Sequence, residues 1–161
     1  MEIERKKNKT VADSRTEVTK LLQYKDINGY DRLFGGRLME WIDVVAAVVA
    51  RRHSGCAVTT ASVDTLTFTA PAYVDDTVIL QGYITHAGRT SMEICVRTFV
   101  ENLDGSRREI NRAYLVMVAL DENGKPTPVP EVIPETEEEK REFEEAVRRR
   151  EYREIRRREH F

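Results

Sequence analysis

The sequence predicts an α+β fold, an antiparallel sheet of about five strands with one long central helix packed against it. Three observations carry that expectation. Residues 38–50 read LMEWIDVVAAVVA, a run long and apolar enough for a largely buried helix. One weakly alternating stretch precedes it, and four later stretches rich in Val, Thr and Ile have strand lengths. Short turn signals separate most of them, which favours hairpins and antiparallel pairing.

Taken in order, residues 1–13 are polar and read as a flexible N-terminus. Residues 14–22, SRTEVTKLL, alternate weakly and read as the first strand, ahead of a turn at Asn28-Gly29. The helix is expected over 36–53, after Gly35-Gly36, with Gly55 just beyond as a stop. Residues 58–69 are a Val- and Thr-rich strand closed by Pro71. Residues 77–86 and 91–102 form a hairpin around Ala87-Gly88-Arg89-Thr90, and Asp104-Gly105 makes the next turn. Residues 110–120 form the last long strand, ending at Asn123-Gly124.

Residues 135–161 differ in kind. Acids dominate the first half (ETEEEKREFEE) and arginines the second (RRREYREIRRR), a polarity that complements a helix dipole. This is a charged C-terminal helix or extension, expected to be solvated. Its interleaved Glu residues argue against nucleic acid as its partner. The 161-residue chain thus reads as a flexible lead (1–13), one domain (14–134) and a charged tail (135–161).

A formal net charge of -2 argues against a nucleic-acid-binding surface. Cys56 and Cys95 lie in apolar runs and fit neither metal-ligand nor disulfide-scaffold spacing, so they read as small core residues in a reducing compartment. No segment resembles a signal peptide or spans a bilayer. The expectation is a cytoplasmic protein.

Asp43 is the residue of greatest chemical interest. A carboxylate inside an apolar helix must be paired, hydrogen-bonded or chemically used, because burying it bare is costly. The plainer alternative is that Glu40, Asp43, Ala47 and Arg51, spaced three, four and four apart, form a thin solvent-facing stripe. Spacing alone leaves both open. Asn28-Gly29 and Gly88-Arg89-Thr90-Ser91 would by themselves be ordinary turns, Gly35-Gly36 a turn before a helix, and Thr60 a β-branched strand residue. His53 at a helix end reads as structural, favoured by the dipole, and His86 and His160 carry no partner pattern.

The segment NGYDRLFGGRLMEWID, from Asn28 to Asp43, resembles the start of hotdog-fold acyl-CoA thioesterases, specifically bacterial cytosolic acyl-CoA hydrolases related to brain acyl-CoA hydrolase. VTTASVD from Val58, GRTSME from Gly88 and DENGKP from Asp121 add further matches in the same order. Together they span roughly residues 14–140. One departure is visible: the family commonly has glycine three residues after the asparagine, where this chain has Asp31.

The resemblance implies a hotdog fold, the sheet wrapped around the helix and paired edge to edge with a second subunit. It also implies active sites at the homodimer interface and assembly to a hexamer. The implied activity is hydrolysis of acyl-CoA to free fatty acid and CoA, in fatty acid metabolism, without metal or other cofactor. Asp43 would be general base or nucleophile, and backbone N–H groups near Gly35 and Gly36 the oxyanion donors. Asn28 would sit beside Asp43, orienting water or carbonyl, with Thr60 adding a hydroxyl. Gly35 and the turn Gly88, Arg89, Thr90 and Ser91 would hold CoA, with Arg37 and Lys125 as weaker phosphate candidates. Met39 and Trp41 are candidates to line an acyl tunnel. The alternative within the same fold is a non-catalytic acyl-CoA-binding regulatory domain; a dehydratase would need a His-plus-acid pair that the sequence does not offer.

Overall fold

The computed structural model describes residues 7–161. The elements are β1 (Asn8–Thr10), β2 (Thr16–Leu21), a short 3-10 turn (Tyr24–Asp26), α1 (Gly35–Ser54), β3 (Ala57–Phe68), β4 (Thr77–Ala87), β5 (Ser91–Glu101), β6 (Arg107–Leu120), β7 (Glu131–Ile133) and α2 (Glu137–Glu159). Five strands form one antiparallel sheet in the order β2-β4-β5-β6-β3. This is the hotdog arrangement, with α1 packed across all five strands. The predicted helix and strands agree with these elements to within a few residues, except that β6 begins at Arg107.

The helix forms where expected and stops where expected. Gly55 adopts the left-handed conformation (φ 68°) and its N–H donates to the Arg51 carbonyl, closing the last turn. Leu38, Ile42, Val45, Ala46, Val49 and Ala50 are buried, spaced as one face of a helix. Gly82 on β4 lets that face approach: a Cβ there would meet Val45 Cγ1 at 2.7 Å and Val49 Cγ2 at 2.9 Å. The alanines at 46 and 50 are thus consumed by the chain's own core, and only Ala47 is half-buried.

The helix is not covered on every side, as its composition suggested. Its opposite face leaves Met39, Glu40, Asp43, Val44 and Arg51 exposed. That face lies beside β3, the edge strand paired only with β6, which itself exposes Val63 and Phe68. A single sheet covers one side of a helix, so an all-round apolar sequence leaves apolar residues bare on the other.

Two expectations about the ends are revised. Within the stretch read as a flexible lead, Asn8–Thr10 pair in parallel with Glu131–Ile133 of β7, and Val11 is buried; residues 1–6 lie outside the described residues. The charged tail is a helix, but not a merely solvated one. Thr136 caps it, accepting from the Glu139 N–H while Glu139 reaches back to the Thr136 N–H. It then packs on the sheet through Ala146 and Phe143, the latter 5.0 Å from the His86 ring. Among the described residues no helix is long and apolar enough to cross a membrane.

Candidate active site

The start of α1 is pinned by the preceding loop. Asp26 is buried; its Oδ2 accepts the Gln23 N–H at 3.1 Å, and Arg37 Nε lies 3.4 Å from its Oδ1. The Phe34 N–H donates to the Asp26 carbonyl at 2.8 Å, which fixes where the helix begins. Phe34 is the N-cap and offers no side-chain acceptor, so the first-turn N–H groups at Gly35 and Gly36 carry no side-chain cap. A Cβ at Gly36 would meet the Phe34 ring at 2.7 Å, so the absence of a side chain keeps the ring folded beside the helix start.

Asn28 organises the loop before it. Its Oδ1 accepts from the Tyr30 N–H (2.8 Å) and the Arg32 N–H (3.3 Å), and its carbonyl accepts from the Asp31 N–H (3.2 Å). With Oδ1 committed to the backbone, the side-chain NH2 is what Asn28 can present to a ligand. Asp31 closes the turn at φ 60°, the left-handed region where glycine is at ease. The departure from the family's glycine therefore sits at the one loop position with positive φ, and a short polar side chain is the kind that tolerates it.

Asp43 and Thr60 meet directly. Thr60 Oγ1 donates to Asp43 Oδ1 at 2.6 Å, bridging α1 and β3. The same hydroxyl lies 3.4 Å from Met117 Sδ on β6. The β3–β6 register shifts between Thr60 and Ser62, a bulge of the kind that re-aims a side chain. Asp43 is hydrogen-bonded but exposed within the protomer, so burial in its own fold is not what calls for that partner. The stripe Glu40, Asp43, Ala47, Arg51 is the arrangement observed for the single chain, with Ala47 half-buried. One Asp43 oxygen is held by Thr60, which leaves the other directed by that contact and available.

The remaining candidates are not gathered around this pair within one protomer. Asn28 lines a separate cavity of about 310 Å3 together with Arg32, Leu33, Leu38, Phe68, Ala70 and Ile110, among others. The turn at Gly88, Arg89, Thr90 and Ser91 closes β4 on β5 through the Gly88 N–H to the Ser91 carbonyl, 2.8 Å. Arg89 is exposed, while Ser91 lines a cavity of about 240 Å3 with Arg150, Arg153 and Arg157 of α2. A Cβ at Gly88 would stand 3.0 Å from Arg150 Nη1, so the turn and the C-terminal helix are in close contact. Met39 is exposed and Trp41 packs under Lys20 Nζ, 5.6 Å from its ring; neither lines the cavity beside Asn28. Arg37 pairs with Asp26 at 3.4 Å and with Glu40 at 2.9 Å.

Sequence reasoning missed two things. The cavity beside Asn28 is made by residues 68–72 curling back against the loop, a long-range contact with no periodic signal. The tail arginines converge on Glu93 and Asp64: Arg149 Nη2 lies 2.8 Å from Glu93 Oε1, Arg153 Nη1 bridges Glu93 Oε2 (2.7 Å) and Asp64 Oδ2 (3.1 Å), and Arg156 pairs with Asp64. Both acids fall at the ends of motifs quoted above, VTTASVD and GRTSME. His53 is structural, but not for the reason expected. Its ring is fully buried and donates Nε2–H to the Pro130 carbonyl at 2.8 Å. Burial pushes its pKa below the ordinary histidine value, outweighing the opposing effect of that hydrogen bond. Burial likewise pushes the Cys95 thiol up to about 12, consistent with an inert core cysteine.

The Thioesterase superfamily matches residues 30–105. An uncharacterized acyl-CoA thioester hydrolase of Bacillus subtilis is 46% identical over 115 residues, covering 71% of this chain and 67% of that protein. The rat cytosolic acyl coenzyme A thioester hydrolase is 34% identical over 139 residues; these cover 84% of this chain but 36% of the rat protein. An apo hexameric acyl-CoA thioesterase superposes with a TM-score of 0.90 at 46% identity, over 93% of this chain and 97% of that one. The Staphylococcus aureus acyl-CoA hydrolase in complex with butyryl coenzyme A, coenzyme A and coenzyme A disulfide superposes with a TM-score of 0.91 at 35% identity, over 94% and 93% of the two chains.

Proposed function

The chain belongs to the thioesterase superfamily and is an acyl-CoA thioester hydrolase, and from that premise we propose that Asp43 is the group that initiates cleavage. The observation carrying this reading is the 2.6 Å hydrogen bond from Thr60 Oγ1 to Asp43 Oδ1, on a helix face that the chain's own fold leaves open. A carboxylate with one oxygen fixed and the other free is oriented for proton transfer or attack.

Two balanced routes use that oxygen. As base, Asp43 takes a proton from water while the water oxygen bonds to the thioester carbon. The tetrahedral intermediate then expels CoA thiolate, which regains the proton. As nucleophile, Asp43 bonds to the carbon itself, expels CoA thiolate and leaves a mixed anhydride that water hydrolyses. Single turnover in labelled water tests for the second route: water attacking the anhydride at the Asp43 carbonyl carbon leaves label in the enzyme carboxylate, which the base route never does.

In either route negative charge develops on the carbonyl oxygen. The uncapped N–H groups of Gly35 and Gly36, at the positive end of a 20-residue helix, suit that charge. The Asn28 NH2, its Oδ1 already committed, suits the carbonyl rather than an attacking water's proton. Gly88, Arg89, Thr90 and Ser91 are assigned to the CoA moiety, and the mechanism needs no further cofactor.

Asn28 and Asp43 do not meet within one protomer, so the reading requires a second copy of the chain. The exposed edge of β3 and the open face of α1, with Val44, Val63 and Phe68 bare, suit a homodimer with composite sites. Further assembly to a hexamer is supported by the hexameric relative. A cytoplasmic location belongs to the same reading, supported by the name of the rat relative.

The test is Asp43→Asn, which keeps shape and removes the basic oxygen. Turnover of acyl-CoA should fall by about 10²–10⁴-fold, while the variant remains folded and still binds CoA. Turnover at the parent rate would remove Asp43 from the chemistry.

A further inference from the structure

We infer that α2 braces the β3 edge: Arg153 and Arg156, through Asp64, hold the strand register that turns Thr60 toward Asp43, and so act as positioning residues for thioester cleavage. The inference rests on the proposed role of Asp43.

Thr60, Val63 and Leu66 of β3 pair with Met117, Leu115 and Ala113 of β6. The three β6 residues are two apart and buried in the core with α1, so they share one face of the sheet. Their β3 partners are three apart, which a regular strand does not allow, because its side chains alternate at every residue. Ala61 and Asp64 are the surplus residues, each without a partner at a register shift. With the pairs from Leu66 to Phe68 held, closing the Asp64 bulge alone would set Thr60 opposite Val118. Val118 lines the cavity under α2, so Thr60 would then face away from Asp43.

Within the protomer β3 is bonded to a neighbour on one side only, and its pairing lapses at the bulge. The side chain of Asp64 makes the tie instead. It is only 5% exposed, with Oδ2 lying 3.1 Å from Arg153 Nη1 and Oδ1 paired with Arg156. The same Arg153 nitrogen lies 2.7 Å from Glu93 Oε2 on β5. One guanidinium therefore reaches across β6 and fixes the bulge against the middle of the sheet, through charge-assisted bonds.

Arg149 supplies the contrast. It lies 2.8 Å from Glu93, 3.7 Å from Glu142 and 3.8 Å from Glu145, so it docks α2 through β5 and its own helix. The helix also abuts the turn assigned to CoA, where a Gly88 Cβ would stand 3.0 Å from Arg150 Nη1. Loosening α2 as a whole should therefore show in KM, whereas a displaced Thr60 shows in kcat alone.

The experiment measures kcat and KM on butyryl-CoA for Asp64→Ala, Arg156→Met and Arg149→Met, the first two also in a Thr60→Val background. Asp64→Ala and Arg156→Met should lower kcat about 5–10-fold with KM unchanged. In the Thr60→Val background they should add no further loss, because the hydroxyl through which they act is already gone. Arg149→Met should keep kcat near the parent value. The Arg156 side chain is 43% exposed, so its variant retains the fold even where Asp64→Ala does not. Parent kcat in Arg156→Met, the same fold loss in both backgrounds, or an equal loss in Arg149→Met would overturn the inference. Asp43→Asn tests the catalytic reading separately: parent turnover there removes that reading, whereas an inactive Asp43→Asn beside an unaffected Arg156→Met removes the brace alone.

Discussion

Arg153 Nη1 lies 2.7 Å from Glu93 Oε2, joining the C-terminal helix to a carboxylate that is only 2% exposed near the start of β5. Arg149 approaches the same carboxylate at 2.8 Å and stacks its guanidinium 3.8 Å from the centre of the Tyr114 ring. Glu93 is thus a buried charge made tolerable by two arginines from a segment more than fifty residues away. Glu93→Ala should lower unfolding free energy by about 3 kcal/mol, since it removes the buried acceptor that Arg149 and Arg153 share, although Arg153 keeps Asp64. Glu101→Ala, which removes a half-buried partner of Arg107 near the surface, should change it by less than about 1 kcal/mol. Urea titration followed by circular dichroism compares the two, and equal losses would mean that α2 is held by apolar contacts alone.

Thr60 makes a second prediction. If its hydroxyl positions Asp43, Thr60→Ser should keep most of the turnover and Thr60→Val should lower kcat by about 10–100-fold. KM should change little, because the hydroxyl binds the enzyme's own carboxylate. An equal loss in both variants would point to packing against Met117 instead.

Asp31 tests the loop. At φ 60° a β-branched side chain is strained, so Asp31→Val should destabilise by about 1–2 kcal/mol. Asp31→Gly should be close to neutral, because relief of the left-handed backbone is offset by the greater freedom of glycine in the unfolded chain. Thermal unfolding of the two variants beside the parent decides the point.

His53 gives the protein a pH dependence with a definite sign. Its pKa is depressed in the folded state, first by burial, so the unfolded chain binds the proton more readily. Stability is therefore full above the unfolded value near 6.5 and falls as pH drops below it, by at most about 1.4 kcal/mol per pH unit for this one group. His53→Gln should flatten the profile between pH 6.5 and 5, as read from denaturant midpoints. His86, depressed by burial and by Arg150, acts in the same direction and will leave some slope.

What is local in this chain was legible in its residues, and what is distant was not. The helix, its Gly55 stop and the hairpin strands were readable because each depends on contacts a few residues apart. Glycine at a left-handed position and Val-rich strands between turn pairs act locally. The tail's helical tendency was readable for the same reason, through its charge polarity. Its docking was not, because the acceptors for Arg149, Arg153 and Arg156 lie on β3 and β5, and nothing in the tail records where those strands run.

Asp43 shows the same division at the site. The chain by itself marked a carboxylate that had to be bonded or used, and a family likeness that pointed to Asn28 and Thr60 as its companions. Only the folded protein decided that Thr60 bonds it, that Asn28 lines a different cavity, and that the helix face is open rather than buried. Local preference and hydrophobic period act along the chain, whereas which distant side chains meet is set by how the sheet and helix stack.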